Sequence, residues 1–484
     1  MCAAKSWSAY QTAIFDFVGN DTRNGMVEAV AGSGKSTTIK EAYKRVKGEA
    51  IFLAFNKAIA DELKAAGVNG RTFHSLCMMP VMRSRGARDP EMNKLRKLCD
   101  EHMTGEEQRL YATFAQKLVG LARQVGVGCL VKDTELAWIE ICDHHNIEPE
   151  SEEADFGRAV ELARELLAWS NASNMVDFDD MLYFAVKDGI TLPKFDFVFV
   201  DEAQDTNAIQ RAILRKIMKP TSRIVAVGDP AQAIYGFRGA DSASMSVMAE
   251  EFGMVRLPLT ISYRCPVNVV KYAQQWVSHI EAAPNAVDGI VEELGTNFEV
   301  KNFTASDLVV CRKSAPLITL AFRCIRANVP VQVMGREIGQ GLKALIKKMD
   351  AKGVDKLQEK LEAYMEREVE KARSKKDDAK AEAIEDKVGS LLFLIAGLRE
   401  DKRTVPDLEA GIDYLFKDKS VAVKFATIHK SKGLEAPRVF WLGRAECPAR
   451  WAKQDWQKQQ EINLCYVAAT RAQQELYTIE LKDE

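Results

Sequence analysis

The sequence predicts an α/β protein built on two parallel-sheet cores, and three observations carry that expectation. Short apolar, β-branched runs fall in two blocks along the 484 residues, each run separated from the next by helical or loop segments. That alternation is the pattern of parallel α/β sheets. A glycine-rich loop, Ala29-Val30-Ala31-Gly32-Ser33-Gly34-Lys35-Ser36, follows the first run, at the carboxyl edge where such sheets bind ligands. Two long stretches of helical periodicity interrupt the blocks.

The first block contains strands expected at 26–30, 50–55, 195–200 and 223–227. The second contains those at 307–311, 329–334, 421–427, 438–442 and 475–481. Between the blocks' members, residues 77–176 carry Phe114, Leu118, Leu121 and Val125 on one helical face, and Phe156, Val160, Ala163 and Leu167 repeat the spacing. Residues 339–417 form the second insert, with Glu and Lys/Arg interleaved from Glu366 to Lys387. Such a run reads as a solvated helical face or hairpin. The expected division is a first core at 1–76 and 177–256, its helical insertion at 77–176, a second core at 257–338 and 418–484, and its insertion at 339–417.

Composition narrows the class. The formal charge is −2, which excludes a broadly basic, histone-like surface but leaves room for a local basic groove. Ten cysteines run from Cys2 to Cys465 with no C-x-x-C pair, so they are expected as reduced thiols. Cys142-Asp143-His144-His145 lacks a matching second half, and a structural role is expected there. No apolar stretch reaches membrane-spanning length, and Met1 to Gln11 contains no signal-peptide core. A soluble cytoplasmic protein, not a secreted one, is expected.

The glycine-rich loop carries the first piece of chemistry. A strand, a tight turn and a helix N-terminus aim several backbone N–H groups at one anion. Ala31, Gly32, Ser33 and Gly34 would line the phosphates, Lys35 would reach the β- and γ-phosphates, and the Ser36 hydroxyl would ligate Mg²⁺. Ala29 stands where this pattern usually has its first glycine.

The second piece is the run Phe195 to Val200, which ends in Asp201-Glu202-Ala203-Gln204-Asp205. Beside a phosphate loop, Asp201 can hold Mg²⁺ through the metal's water shell, and Glu202 can orient or deprotonate the attacking water. A further strand end leads into Gly228-Asp229-Pro230-Ala231-Gln232, followed by Tyr235, Phe237 and Arg238. Gln232 suits sensing of the γ-phosphate. Taken singly the aromatics read as core residues; beside Arg238 they suit stacking against a nucleic-acid strand.

At this point the residues resemble the UvrD/Rep-type superfamily 1 DNA helicases, in particular compact phage-encoded and F-box-helicase-like members. Tyr10-Gln11-Thr12-Ala13 is similar to the segment whose glutamine reads adenine, and Phe55-Asn56-Lys57 and Thr72-Phe73-His74 to two DNA-contacting segments. Asp177-Phe178-Asp179-Asp180 matches a further element, read as structural; its carboxylates otherwise suggest a nuclease metal site. Tyr263-Arg264 resembles the motif whose tyrosine stacks on adenine and whose arginine meets the γ-phosphate. Thr427-Ile428-His429 through Gly433-Leu434-Glu435 resembles the segment linking nucleotide to DNA, and Thr470-Arg471 the motif with a second arginine.

The resemblance implies two RecA-like P-loop NTPase cores, ATP and Mg²⁺ as cofactors, and single-stranded DNA and duplex junctions as partners, with protein partners unknown. It implies nucleotide contacts from Gln11, Thr37, Gln232, Tyr263, Arg264, Gly433, Glu435 and Arg471. It also implies DNA contacts from Phe55, Asn56, Lys57, Thr72, His74, Tyr235, Phe237, Arg238, Thr427 and His429. Arg264 and Arg471 would stabilise transition-state charge from the second core. The implied activity is 3′→5′ movement on single strands coupled to unwinding. The alternatives are a DNA-stimulated ATPase that remodels protein–DNA or recombination intermediates, an RNA-directed relative, and a non-processive nucleotide switch. The chain departs from the family pattern at Ala54-Phe55, where the aromatic is shifted by one position, and at Thr37, where relatives commonly carry arginine.

Overall fold

The computed structural model describes residues 6–145, 147–151, 153–236, 243–400 and 403–482. The chain forms two compact units, one of Met1–Ala29 with Gly34–Leu259 and one of Val30–Ser33 with Thr260–Glu484.

The first unit is built on a six-stranded sheet. Its strands are β1 (Asn24–Ala29), β2 (Ala50–Leu53), β3 (Gly70–Arg71), β4 (Phe195–Val200), β5 (Met218–Gly228) and β6 (Met254–Leu259), in the order β3-β2-β4-β5-β1-β6. Every pairing in it is parallel. The period-2 alternation of strand side chains sorts the residues onto two faces. Met26, Ile51, Leu53, Val198, Val200 and Ile224 share one apolar core with the helices between β3 and β4. Val27, Phe52, Phe197, Phe199 and Val225 share another with Ile14 and Val18 of helix Ala9–Asn20 and with Ile39 and Leu63. Both faces are covered, which is why these strands read as continuous apolar runs.

The expected faces of the first helical insert lie on helices Gly105–Val125 and Phe156–Ala172. Leu118, Val160 and Ala163 are fully or nearly fully buried there. They pack into the same core as the sheet, so this insert is welded to its strands.

The second unit carries β7 (Ile261–Ser262), β8 (Glu281–Ala282), β9 (Ile290–Gly295), β10 (Leu308–Cys311), β11 (Val331–Val333), β12 (Val423–Thr427), β13 (Ala436–Leu442) and β14 (Ala472–Ile479). Six of these form a parallel sheet in the order β11-β12-β10-β13-β14-β9, and β7 pairs with β8. Between β11 and β12 stand four helices, of which Val354–Ser374 and Asp378–Ala396 form the charged hairpin. Leu357, Leu361, Leu391, Leu394 and Leu415 of this segment join Val309, Val331, Phe425 and Phe440 of the sheet in one core.

Strands β3, β6, β7, β8 and β9 have no counterpart among the sequence expectations, and β7 and β8, like β3, are two residues long. β6 and β9 are edge strands, marked by Arg256 and Pro258 in the first and Glu292 and Glu293 in the second. Charge and proline blunt an edge against further pairing and erase the apolar signature of a strand at the same time.

Nine free cysteines fall among the described residues, most of them buried. No group of three or more His, Cys, Asp or Glu side chains there is placed to hold a metal ion, the 142–145 cluster included. No helix among them is long and apolar enough to cross a membrane.

Candidate nucleotide and nucleic-acid sites

The phosphate loop leaves β1 and turns directly into helix Lys35–Tyr43. Gly32 and Gly34 both hold positive φ, at 71° and 78°, a region that glycine enters without steric cost. Gly34 therefore caps the helix and starts it at Lys35. The Ser33 hydroxyl is buried and has no hydrogen-bond partner among the described residues. An unsatisfied donor beside a helix N-terminus suits an incoming phosphate oxygen.

Gln11 lies beside this loop. It closes a capping box with Ser8, and its Nε2 donates to Thr38 Oγ1 at 3.0 Å. Thr38 is fully buried, whereas the expected Thr37 is exposed.

Strand β4 delivers the acidic pair. Asp201 is buried, and burial, followed by the neighbouring Glu202 charge, pushes its carboxyl up to about 7 against the opposing pull of Lys35. Its Oδ1 accepts the Glu202 backbone N–H at 2.9 Å. Glu202 takes a left-handed backbone, φ 50°, and Lys35 Nζ stands 3.9 Å from its Oε2. The carboxyl end of β5 adds Asp229, whose carboxyl is also raised by burial. Gln232 Nε2 donates to Asp229 Oδ2 at 2.6 Å, so its carboxamide is held in this turn. Lys35, Asp201, Glu202, Asp229 and Gln232 form one polar patch at the carboxyl edge of the first sheet.

The second unit assembles its own group. Arg264 Nε meets Glu435 Oε2 at 2.5 Å, and its Nη1 donates to the Thr470 carbonyl at 3.3 Å. Arg471 is buried, donating to the carbonyls of Val467 at 2.9 Å and Leu434 at 3.2 Å. Gly433, at φ 88°, turns the chain that presents Leu434 and Glu435. Tyr263 is half exposed beside them. Residues predicted from three separate motifs thus converge.

A cleft of about 260 Å³ opens elsewhere on the first unit, walled by Phe55, His74, Phe178 and Tyr235 with Arg123 and Asp179 on its polar side. Phe55 and Tyr235 lie nearly parallel, 9° between planes and 6.3 Å between centroids. His74 and Phe178 are 4.3 Å apart, and burial pushes the His74 imidazole down to about 4. Two of the expected DNA contacts also cap helices. Asn56 caps helix Lys57–Ala65 by accepting from Ile59 N at 2.9 Å, and Thr72 caps Phe73–Arg85 through Ser75. Thr427 likewise caps the short turn containing His429. Phe237 and Arg238 lie outside the described residues.

The acidic run 177–182 is structural, as expected. Asp177 caps its helix and takes Arg123 Nη1 at 2.8 Å, while Asp180 takes Lys94 Nζ at 2.6 Å, all in the interior. The sequence reading passed over Phe178, an exposed aromatic at the first turn of that helix. Its signal was its place directly after a capping aspartate, on the turn's outer side.

A family model for the UvrD/REP helicase N-terminal domain matches residues 11–253, and one for the UvrD-like helicase C-terminal domain matches 334–483. The chain belongs to the UvrD/Rep helicase family. Among curated relatives, the ATP-dependent DNA helicase srs2 of Schizosaccharomyces pombe is 31% identical over 147 residues, covering 29% of this chain and 16% of that protein. A probable DNA helicase II homolog of Mycoplasma pneumoniae is 26% identical over 299 residues, 54% of this chain and 41% of the relative. DNA helicase IV of Escherichia coli is 26% identical over 316 residues, 53% and 45% respectively. The chain therefore spans less than half the length of each of these UvrD/Rep relatives.

Proposed function

We propose that this UvrD/Rep family chain is an ATP- and Mg²⁺-dependent DNA translocase that moves 3′→5′ on single-stranded DNA and separates duplexes. The observation that carries the reading is the polar patch on the first sheet, where Lys35 stands 3.9 Å from Glu202 beside the buried Asp201. The direction rests on family resemblance.

The donor set fits a hard cation. A hydroxyl from Ser36 and a buried carboxylate from Asp201 are oxygen ligands, and the burial and adjoining Glu202 charge that raise the Asp201 carboxyl are offset by a nearby cation. Bound Mg²⁺ would neutralise charge on the β- and γ-phosphates. Gly32, Ser33 and Gly34 offer backbone and hydroxyl donors to the same phosphates, and Lys35 adds a cation. Glu202 orients the attacking water and accepts its proton. Arg264 and Arg471 are assigned to charge that develops in the transition state. The aromatic cleft of Phe55, His74, Phe178 and Tyr235 is assigned to the bases of the strand, since any base presents a π-face. The boundaries 77–176 and 339–417 are proposed for the two insertions.

Strand displacement on duplexes with 3′ or 5′ single-stranded tails tests this. ATP-dependent displacement of the 3′-tailed substrate alone is expected. Displacement from the 5′ tail reverses the direction, and DNA-stimulated ATPase without displacement from either tail favours a remodelling ATPase.

A further inference from the structure

Gln204 sits two residues beyond Glu202, in the short turn Ala203–Asp205, and is 1% exposed. Both ends of its carboxamide are engaged. Oε1 accepts the Asp229 backbone N–H at 3.1 Å, and Nε2 donates to Oε2 of Glu202. This orientation follows from the partners: an amide N–H can only donate and a carboxylate can only accept. Gln204 therefore bridges the acidic end of β4 to the end of β5.

Two neighbouring features make sense of the bridge. Glu202 holds a left-handed backbone at φ 50°, outside any ladder that would fix its side chain. Gly228, the last residue of β5, leaves bare the space the carboxamide occupies; a Cβ there would lie 2.4 Å from Gln204 Oε1. The hydrogen bonds continue from Asp229 to Gln232. Glu202, Gln204, Asp229 and Gln232 thus form one chain of contacts across two strand ends.

We infer that Gln204 is a positioning residue: it aims the Glu202 carboxylate and ties it to the Asp229–Gln232 turn. The inference rests on the role given to Glu202 above. Gln204 touches neither nucleotide nor water in this role; it acts through Glu202.

The test measures steady-state and single-turnover ATPase of the full chain at saturating single-stranded oligonucleotide. Gln204→Met removes both hydrogen bonds at similar volume. It is expected to lower kcat about tenfold to a hundredfold, the scale of a misaimed reacting group, with KM for ATP unchanged. Gln204→Glu keeps the acceptor for Asp229 but sets a carboxylate against Glu202, and is expected to lose as much kcat. Wild-type kcat in that variant means the bond to Glu202 is immaterial and overturns the inference.

The double variant is decisive. Adding Gln204→Met to Glu202→Gln is expected to change the residual single-turnover rate less than about twofold, because groups acting as a unit are not additive. Losses that multiply would show a structural role independent of Glu202. If Gln204→Met fails to fold, Gly228→Ala replaces it: its methyl meets the Gln204 carboxamide oxygen at 2.4 Å, and the Met245 sulfur, at 2.8 Å, must also give way. A kcat-only loss is expected, and an unchanged kcat overturns the inference. Should Glu202→Gln alone hydrolyse ATP normally, the proposed role of Glu202 falls first. A dead Glu202→Gln with an active Gln204→Met removes only the positioning role.

Discussion

Arg264 Nε lies 2.5 Å from Glu435 Oε2, so an arginine assigned to phosphate is already paired with a carboxylate inside its own unit. Arg471 is held by the carbonyls of Val467 and Leu434, which fix its direction. A phosphate must compete with Glu435 for Arg264. Arg264→Ala and Arg471→Ala are each expected to lower DNA-stimulated ATPase by about 10³-fold or more, the range for an arginine on a transferring phosphoryl group. Folding and single-strand binding should survive, by melting curve and fluorescence anisotropy. Normal hydrolysis in both variants removes these residues from the site.

Glu202→Gln keeps the size of the side chain and removes the base. Turnover is expected to collapse while binding of a fluorescent ATP analogue with Mg²⁺ stays near wild type. Lys35→Ala should show the reverse emphasis, with weakened nucleotide binding as its first defect. Wild-type turnover in Glu202→Gln would falsify the assignment of the acidic strand end.

The cleft walled by Phe55, His74, Phe178 and Tyr235 makes a separate prediction. Phe178→Ala removes one wall and leaves the phosphate loop untouched. Loss of a stacking platform costs about 1–3 kcal/mol per base, so single-strand affinity is expected to fall roughly fivefold to 150-fold. Basal ATPase without DNA should not change. Unaltered affinity in anisotropy titrations returns Phe178 to a packing role.

Burial lowers His74 from an ordinary value of 6.5 to about 4. The unfolded chain therefore binds a proton that the folded chain refuses, and the stability due to neutral His74 is complete above pH 6.5. It is lost as pH falls through that value toward 4. His74→Phe keeps a ring against Phe178 and cannot titrate. Its melting temperature is expected to fall less than that of the wild type between pH 7 and pH 5; parallel falls would assign the acid sensitivity to other groups.

How far the sequence disclosed this molecule depended on what each residue answers to. β4 was visible because Phe195 to Val200 is covered on both faces and must be apolar throughout. The phosphate loop was visible because glycines at positive φ and a lysine at the helix start have few other uses together. β6 and β9 were hidden because Arg256 and Pro258 in one, and Glu292 and Glu293 in the other, break the apolar pattern that the edge strand β11 keeps. Phe178 and Gln204 were hidden for another reason: each acts by a neighbour, His74 or Glu202, whose position only the fold decides. The Lys94–Asp180 and Arg123–Asp177 pairs join residues 86 and 54 apart, a match that no local pattern announces.

The charged segment 339–417 shows the same limit, and its packing changes the experiment that probes it. The chain leaves for it after β11 and returns at β12, its neighbour in the sheet, so a short linker satisfies the geometry. Its apolar residues do not permit that: Leu357, Leu361, Leu391, Leu394 and Leu415 share a core with Val309 and Phe425. Asp386 also accepts the backbone N–H groups of Ser314 and Ala315, at 2.9 and 2.6 Å, capping helix Ser314–Arg326. Replacing the whole segment with Gly/Ser linker is expected to unfold the second unit. The outer end of the hairpin is joined less tightly: Val369, Ala372 and Ala381 form a small cluster of their own, and its ties to the rest of the unit are polar, Trp451 Nε1 donating to Glu382 at 2.7 Å and Lys453 Nζ to Asp378 at 2.8 Å. Replacing residues 367–384 with a tight turn should preserve the melting transition and single-strand-stimulated ATPase while altering the rate of duplex unwinding. Lost ATPase in a variant that still melts cooperatively would place the hairpin tip within the motor.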